Sequence, residues 1–167
     1  MPEQFTDAIA MLKADHRKVE DLFEKFEKAS GHSRKQAIAE QICNELKIHT
    51  TIEEELFYPA FRGKIEEYTL NEAFVEHDGA KVLVNDITAA SPADDFYDAK
   101  VKVLSEEIKH HVREEEKPSE GMFAQCRKTD VDLVELRDRM MARKQELLQQ
   151  AKSGALPSAE LRVLHMA

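Results

Sequence analysis

The sequence predicts an all-α protein, an up-down-up-down four-helix bundle with an additional C-terminal amphipathic helix. Gly and Pro, five of each in 167 residues, fall between segments that are long enough to be helices. Within these segments apolar residues recur at steps of three and four, which is the period of one helix face, and no strand pattern competes. Four helices of similar length with short connections pack most simply as an up-down-up-down bundle.

The first two predicted helices each carry a histidine on their apolar face. The first helix runs from Thr6 to Ser30. Its apolar face consists of Phe5, Ile9, Leu12, His16, Val19, Phe23 and Phe26. The second helix opens with Ser33 and Gln36, which have the spacing of a capping box. Its inner face consists of Ile38, Ile42, Leu46, His49, Glu53, Leu56 and Ala60.

The third and fourth predicted helices show the same feature. The third helix opens with Thr69 and Glu72, again with capping-box spacing. Its inner face consists of Leu70, Phe74, His77, Lys81 and Val84. The fourth helix starts at Ser91, with Pro92 at the first helical position. Its inner face consists of Val101, Leu104, Ile108, His111 and Glu115.

These helices divide the chain into a bundle, residues 1–125, and a C-terminal segment, residues 126–167. The segment contains a fifth amphipathic helix, from about Thr129 to Lys152, that carries no candidate ligand. This helix either packs on the bundle or forms a contact with a second chain, and the sequence leaves both open. The tail after Gly154 is expected to be loosely ordered.

Composition excludes several classes of function. A net charge of −9 disfavours nucleic acid and anionic membranes as partners. The longest apolar run, residues 8–12, is far shorter than the roughly 18 residues of a membrane span, and it lacks the flanks of a signal peptide. Cys43 and Cys126 are widely separated, so they provide neither a disulfide framework nor a thiolate metal site. The sequence therefore predicts a cytoplasmic protein.

Each bundle helix places a histidine where its pattern predicts an apolar side chain. These histidines are His16, His49, His77 and His111. Glu53 follows His49, and Glu115 follows His111, at the four-residue spacing that puts both side chains on one helix face. Buried imidazoles and carboxylates are costly without a partner, and a cation removes that cost. The six donors suit two divalent ions better than one.

The donor types restrict the metal. Nitrogen and oxygen ligands without thiolate favour iron or manganese, although zinc also binds such donors. A lone core histidine is more often a packing residue than a ligand, but four on matching faces favour a metal. Glu20 and His110 fall on polar faces and are interpreted as non-ligands. The other members of the runs Glu53–Glu55 and Glu114–Glu116 are interpreted as surface charges.

At these residues the sequence resembles the hemerythrin-like, HHE cation-binding domain family. The matching stretches are ADHRKVEDLF, HTTIEEELFYP, EHDGAK and HHVREEE. The resemblance spans most of residues 5–125 and implies a four-helix bundle around a non-haem di-iron centre. The metal ligands that it implies are His16, His49, Glu53, His77, His111 and Glu115.

Two departures from the family pattern bear on function. Oxygen-carrying hemerythrins have a second histidine one turn after the position of His77, where this sequence has Lys81. One iron then has fewer nitrogen ligands, which argues against stable O₂ carriage. After Glu115 the stretch KPSEGMF replaces the usual helical continuation. Lys81 either faces the metals or extends along the bundle to water, and both interpretations stay open.

The resemblance implies a di-iron protein that binds or senses O₂, nitric oxide or iron. The alternatives are a di-iron enzyme that consumes peroxide or oxidises ferrous iron, and a helical interaction module whose histidines bind adventitious zinc. Glu53 and Glu115 are expected to bridge the two ions. Metal removal is expected to lower the melting temperature, most strongly at neutral pH, where both carboxylates are ionised.

Overall fold

The computed structural model of the protein describes residues 4–165. Residues 1–3 and 166–167, at the outer ends of the two predicted segments, lie outside the described residues. The described chain is helical and contains no strand. Its main helices are α1 (Ala8–Lys28), α2 (His32–Ile52), α3 (Glu67–Ala89), α4 (Tyr97–Glu116), α5 (Met122–Arg127) and α6 (Leu133–Lys152). Within the described range, no helix combines the length and the hydropathy that crossing a bilayer requires.

Helices α1 to α4 form a four-helix bundle, which confirms the predicted fold class. Helix α1 packs against α2 and α4, and α3 packs against the same two neighbours. Helix α6 lies across α1 and α2. Its buried residues, Leu136, Met140 and Leu147, join the core of the bundle. A contact of α6 with a second chain stays a prediction.

Two apolar clusters fill the bundle, and a polar layer lies between them. On α1, Leu12 belongs to the first cluster and Val19 to the second, with Asp15 and His16 buried between them. Helices α2 and α3 have the same order of apolar, polar and apolar side chains. Helix α4 contributes only to the second cluster and ends beside the polar layer, and α5 completes the first cluster there. Burial of a large apolar side chain contributes about 1.5–3 kcal/mol. The two clusters therefore fix the helices on either side of the polar layer.

Helix α2 continues beyond Ile52 through a π-helical stretch, Glu53–Phe57, and a short α-helical turn, Tyr58–Ala60. Single π turns inside helices occur frequently at functional sites, because the wider turn changes which side chains face the core. Here both Glu53 and Glu54 turn inward, and both are buried. The π-helical stretch therefore contributes two neighbouring carboxylates to the polar layer.

The π-helical stretch also changes the predicted inner face of α2. The regular helical pattern places Leu56 and Ala60 inside, but both are only partly buried. Phe57, Tyr58 and Phe61 are fully buried instead. Leu56 and Ala60 lie at the edge of the first apolar cluster. The predicted face is shifted in this part because the π-helical stretch interrupts the α-helical period.

The capping-box interpretations of α2 and α3 are wrong. Helix α2 begins at His32, before Ser33, and its N-terminus has no side-chain cap. Helix α3 begins at Glu67, before Thr69. The Thr69 hydroxyl donates a hydrogen bond to the Glu66 carboxylate at 3.3 Å, so it does not cap the backbone.

Helix α4 begins at Tyr97, six positions later than the predicted start at Ser91. Residues 91–96 form turns, and the backbone N–H of Ser91 donates to the Asp94 carboxylate at 2.8 Å. Side chains of Ser and Asp that bond to nearby backbone compete with helix formation. Local hydrogen bonding therefore delays the start of α4.

The tail after Gly154 is not loosely ordered, because residues 159–164 bind to α3. The side-chain amide of Asn85 donates to the carbonyl oxygen of Ala159 at 2.8 Å and accepts from its N–H at 3.0 Å. The Asp78 carboxylate accepts hydrogen bonds from the backbone N–H groups of Arg162, Val163 and Leu164. The expectation was wrong because the partners of the tail are side chains of α3.

Candidate metal centre

All six side chains predicted as metal ligands meet in the polar layer. Their donor atoms form two groups, and within each group the atoms lie within 4.8 Å of one another. One group is His16, His49 and Glu115, and the other is Glu53, His77 and His111. None of the six residues is more than 7% exposed. The structure therefore brings together every residue that the sequence singled out for this site.

The first carboxylate of the site, Glu53, lies between histidines of two helices. Its Oε1 atom is 2.7 Å from Nε2 of His49 and 3.4 Å from Nε2 of His77. These histidines belong to different groups of donors. Glu53 can therefore reach a cation held by either group.

The second carboxylate, Glu115, has the equivalent position on the other two helices. Its Oε1 atom is 3.3 Å from Nε2 of His16 and 3.4 Å from Nε2 of His111. The histidines form two edge-to-face pairs, with ring centroids 4.9 Å apart for His16 with His49 and 4.7 Å apart for His77 with His111. Each carboxylate thus contacts one member of each pair.

Several inward-facing atoms of this site have no hydrogen-bond partner. They are His16 Nε2, His49 Nε2, both carboxylate oxygens of Glu53, and Glu115 Oε1. The 2.7 Å contact between His49 and Glu53 is short enough for a hydrogen bond, but its angles are unfavourable. An unsatisfied buried polar group costs about 1–3 kcal/mol, so such atoms are rare. Imidazole nitrogens and carboxylate oxygens that converge in this way fit a pair of divalent cations.

The other ring nitrogen of each histidine contacts a further carboxylate, at 2.6–3.1 Å. We call these carboxylates the outer carboxylates. The pairs are His49 with Asp15, His77 with Glu54, His111 with Glu76, and His16 with Glu116. A carboxylate only accepts hydrogen bonds, so Nδ1 donates and Nε2 keeps its lone pair for a cation. Histidines that bind metals have this arrangement in most proteins.

The outer carboxylates connect the four bundle helices in a ring. Each outer carboxylate belongs to the helix that precedes the helix of its histidine in chain order. A carboxylate of α1 thus contacts a histidine of α2, one of α2 a histidine of α3, one of α3 a histidine of α4, and one of α4 a histidine of α1. Each is also adjacent in sequence to a candidate ligand, as Asp15 is to His16. A helix that moves therefore disturbs its own ligand and the orientation of the histidine on the next helix.

Two outer carboxylates correct the sequence analysis, which assigned them to the surface. Glu54 is buried and accepts a hydrogen bond from His77 at 2.7 Å. Glu116 is largely buried and accepts from His16 and from Arg17, each at 2.6 Å. The sequence signal for both was their position next to a candidate ligand. By contrast, the partly exposed Glu20 pairs with Arg17 and belongs to neither group of donors, in line with its interpretation as a non-ligand.

Tyr58 is a residue of the site that the sequence analysis missed. It is fully buried, and its hydroxyl donates a hydrogen bond to Glu115 Oε2 at 2.9 Å. The same oxygen lies 3.2 Å from Nε2 of His77 and 3.4 Å from Nε2 of His111. Burial, reinforced by the charge of Glu115, raises the pKa of Tyr58 well above its ordinary value. Tyr58 therefore presents a neutral hydroxyl to the centre.

Protons compete with cations for the same donors. Burial opposes the charged imidazole of His111, but the charge and hydrogen bond of Glu115 outweigh it and raise the pKa of His111 to about 10. Burial also opposes the charged form of Glu115, yet His111 and His16 hold its pKa well below the ordinary value. Metal binding to such donors releases protons.

A small cavity of about 20 Å³ adjoins the four histidines on the side of the second apolar cluster. Its apolar wall consists of Val19, Leu46, Ile108 and Val112. About 10–15 Å³ is the least space that holds one water molecule. The cavity therefore has room for a ligand of very few atoms.

Lys81 takes neither of the two orientations that the sequence left open. Its Nζ donates to Glu54 Oε1 at 2.7 Å and to the carbonyl oxygen of Glu160 at 2.7 Å. Glu54 also accepts a hydrogen bond from His77, so Lys81 contacts the carboxylate that supports a candidate ligand and not the ligand itself.

The choice of His111 over His110 is supported, since the His110 side chain is 56% exposed and contacts only the periphery of the site.

The fold and the site together define a helical-bundle domain whose buried histidines and glutamates could hold metal ions. Residues 7–123 match the sequence profile of the hemerythrin HHE cation-binding domain. The chain belongs to this family, which confirms the resemblance noted in the sequence. The match covers α1 to α4 and ends within α5.

Two similar proteins extend this comparison. A curated relative from Nostoc sp. (strain PCC 7120 / SAG 25.82 / UTEX 2576), named DNA nickase, is 31% identical over 106 residues. The match covers 64% of this chain but only 30% of that protein. A crystal structure of a hemerythrin HHE cation-binding domain-containing protein from Mycobacterium kansasii has a TM-score of 0.73 and 21% identity, covering 90% of this chain and 95% of that one. This second likeness supports the fold.

Proposed function

We propose that this protein holds two iron ions bridged by Glu53 and Glu115 and binds O₂ or nitric oxide as a sensor. The observation that carries the proposal is that each of these carboxylates contacts both groups of donors. Two histidines and two shared carboxylates supply four protein donors for each ion. An octahedral ion takes about six, so positions remain for a small ligand. Manganese or zinc fits the same donors, and the test below distinguishes them.

The surrounding residues support a very small ligand. Iron in the site supplies positive charge and electrons, and the protein controls what reaches it. The cavity of about 20 Å³ admits a diatomic molecule and excludes larger substrates from that side. On the other side, the neutral hydroxyl of Tyr58 is close enough to hydrogen-bond to a ligand. These features favour a gas or peroxide over an organic substrate.

Sensing is favoured over stable carriage because Lys81 occupies the position at which the oxygen carriers have a histidine. The Nζ atom of Lys81 is hydrogen-bonded to Glu54 and to the tail, so it offers no metal-ligating atom to the site. The proposal does not include an action on DNA, which the name of the Nostoc relative indicates for that protein. The net charge of −9 disfavours binding to the phosphate backbone of DNA. The proposal places the protein in the cytoplasm, acting without nucleic acid or membrane.

The metal content of protein purified without added metal tests the proposal. We expect two iron ions per chain by plasma mass spectrometry. We also expect an absorption band in air that changes when nitric oxide is added or O₂ is removed. Zinc in place of iron would favour adventitious binding, and iron with no spectral response to either gas would contradict the sensing role.

A second candidate is an enzyme that converts two molecules of hydrogen peroxide to two of water and one of O₂. Tyr58 favours it, because a neutral hydroxyl bonded to Glu115 can exchange a proton with a ligand at the centre. Oxidation of ferrous iron is a further reaction for which a two-ion centre is suited. Wild-type protein that releases no O₂ from peroxide would exclude the peroxide reaction.

If peroxide is consumed, Tyr58→Phe is expected to lower the rate of O₂ release about 100-fold, the usual contribution of a positioned acid or base. The iron content should be unchanged, because the hydroxyl is not needed to hold the ions. Tyr97→Phe is the matched control, since Tyr97 is buried in the second apolar cluster away from the site. An oxygen electrode measures both rates, and equal rates in the two variants would exclude a role for Tyr58.

A further inference from the structure

We propose that the C-terminal region, outside the stretch that matches the family, positions the Glu53 side of the metal centre. Lys144 of α6 and Arg162 of the tail contact the outer carboxylates that orient His49 and His77. These are the two histidines that contact Glu53. The inference rests on the proposed metal-binding function and assigns a role to residues beyond 123.

The first link runs from α6 to His49. Lys144 donates from Nζ to Asp15 Oδ1 at 2.7 Å, and Oδ2 of the same carboxylate accepts from His49 Nδ1 at 3.1 Å. Asp15 is buried, and the Lys144 side chain is only 17% exposed. One carboxylate thus connects a cation of α6 directly to a candidate metal ligand of α2.

The second link runs from the tail to His77. Glu54 accepts from His77 Nδ1 at 2.7 Å through Oε2, and its Oε1 atom is 3.3 Å from Nε of Arg162. Lys81 reinforces this link, since its Nζ donates to the same Oε1 atom and to the backbone of Glu160. Two cations therefore hold one end of Glu54 while the other end holds the imidazole.

The tail is fixed to the same turn of α3 that carries His77. Asp78, the next residue, is fully buried and accepts three backbone N–H groups of the tail at 2.7–2.9 Å. Asn85, two turns further along α3, makes a reciprocal pair of hydrogen bonds with Ala159. These contacts keep Arg162 within reach of Glu54.

The two histidines on the other side of the centre have supports within the matched stretch. The outer carboxylate of His16 is Glu116, which pairs with Arg17 of α1. The outer carboxylate of His111 is Glu76, which contacts His110 of α4. The C-terminal region therefore acts on one side of the centre, and its loss should affect His49 and His77 selectively.

Loss of Lys144 should let Asp15 rotate away from His49, because a side chain gains rotamer freedom when its partner is removed. Loss of Arg162 should loosen Glu54 to a smaller degree, because Lys81 still holds the same oxygen. The histidine then loses the orientation that directs Nε2 inward. Removal of such supporting partners typically weakens metal binding 10–100-fold. We expect Lys144→Met to accelerate metal extraction by a chelator on the order of 10-fold or more. Arg162→Gln should accelerate it less, because Lys81 still holds Glu54.

The decisive measurement is NMR of the imidazole Nδ1–H groups in the metal-depleted full-length protein. Lys144→Met should shift or broaden the signal of His49 alone, and Arg162→Gln that of His77 alone. The conservative variants Lys144→Arg and Arg162→Lys should retain the wild-type signals, because they keep the positive charge. A general loss of stability would not produce this one-to-one pattern.

Arg143→Gln is the matched control. Arg143 is adjacent to Lys144 on α6 and forms an ion pair with Glu55, which is exposed and contacts no candidate ligand. It should change neither signal nor the extraction rate. Unchanged signals in Lys144→Met and Arg162→Gln, or equal changes of both histidines in each variant, would overturn the inference. If the wild type binds no metal, the proposed function fails, and the NMR signals still decide this inference.

Discussion

Glu53→Gln is expected to remove both ions of the proposed centre, so that iron falls from the proposed two per chain to a small fraction of one. Glu53 lies between His49 and His77, which belong to different groups of donors, and a neutral amide cannot supply the bridging negative charge. Loss of a supporting partner alone costs 10–100-fold in affinity, and loss of a shared ligand should cost at least the upper value, about 100-fold. Plasma mass spectrometry of the purified variant measures the effect.

The control for this experiment is Glu55→Gln, two positions further along the same π-helical stretch. Glu55 is exposed and forms an ion pair with Arg143, so its substitution should leave two ions in place. Glu115→Gln should behave as Glu53→Gln does, because Glu115 also contacts both donor groups. A Glu53→Gln protein that retains two ions would show that this carboxylate does not bridge.

The positions of the candidate ligands could be predicted because they follow the period of a single helix. His49 and Glu53 lie one turn apart on an apolar face, and the periodicity of α2 alone places both side chains in the core. The same reasoning selects His111 over His110. What the period does not provide is the partner of the second ring nitrogen. Each histidine takes that partner from another helix, which only the packing of the bundle decides.

The outer carboxylates were missed for that reason. Glu54 follows a predicted ligand in sequence, and a regular α-helix would point two adjacent side chains about 100° apart. The π-helical stretch lets both Glu53 and Glu54 reach the interior. No local composition marks this change of period. Tyr58, the first residue after this stretch, is fully buried as well, and its hydroxyl reaches the centre.

The C-terminal region was underestimated because its order depends on distant side chains. Residues 159–164 carry no apolar period of their own, and their hydrogen bonds are made with Asp78 and Asn85 of α3. In sequence, Asp78 is one more charged residue after His77 and carries no sign of a binding partner. The pairing therefore emerges only when the tail returns to the bundle.

Metal removal should destabilise the protein, with an effect that grows as the pH rises. A buried charge without its partner costs about 3–5 kcal/mol, which for a chain of this size corresponds to roughly 10 °C in melting temperature. At neutral pH, protonated imidazoles partly replace the cations, because Glu115 outweighs the effect of burial and raises the pKa of His111 to about 10.

The sign of the pH effect follows from that shift. A histidine such as His111 has a pKa of 6.5 in the unfolded chain, and in the metal-free fold this pKa is raised to about 10. The bound proton therefore stabilises the metal-free fold fully below about pH 6.5, and this stabilisation is lost as the pH approaches 10. The metal-loaded protein carries no such proton and should change little over the same range. The sequence alone placed the largest effect at neutral pH, since it considered the carboxylates without their protonated partners. Calorimetry with and without chelator should give a larger difference in melting temperature at pH 10 than at pH 6.5, and an equal or smaller difference at pH 10 would contradict the assigned role of His111.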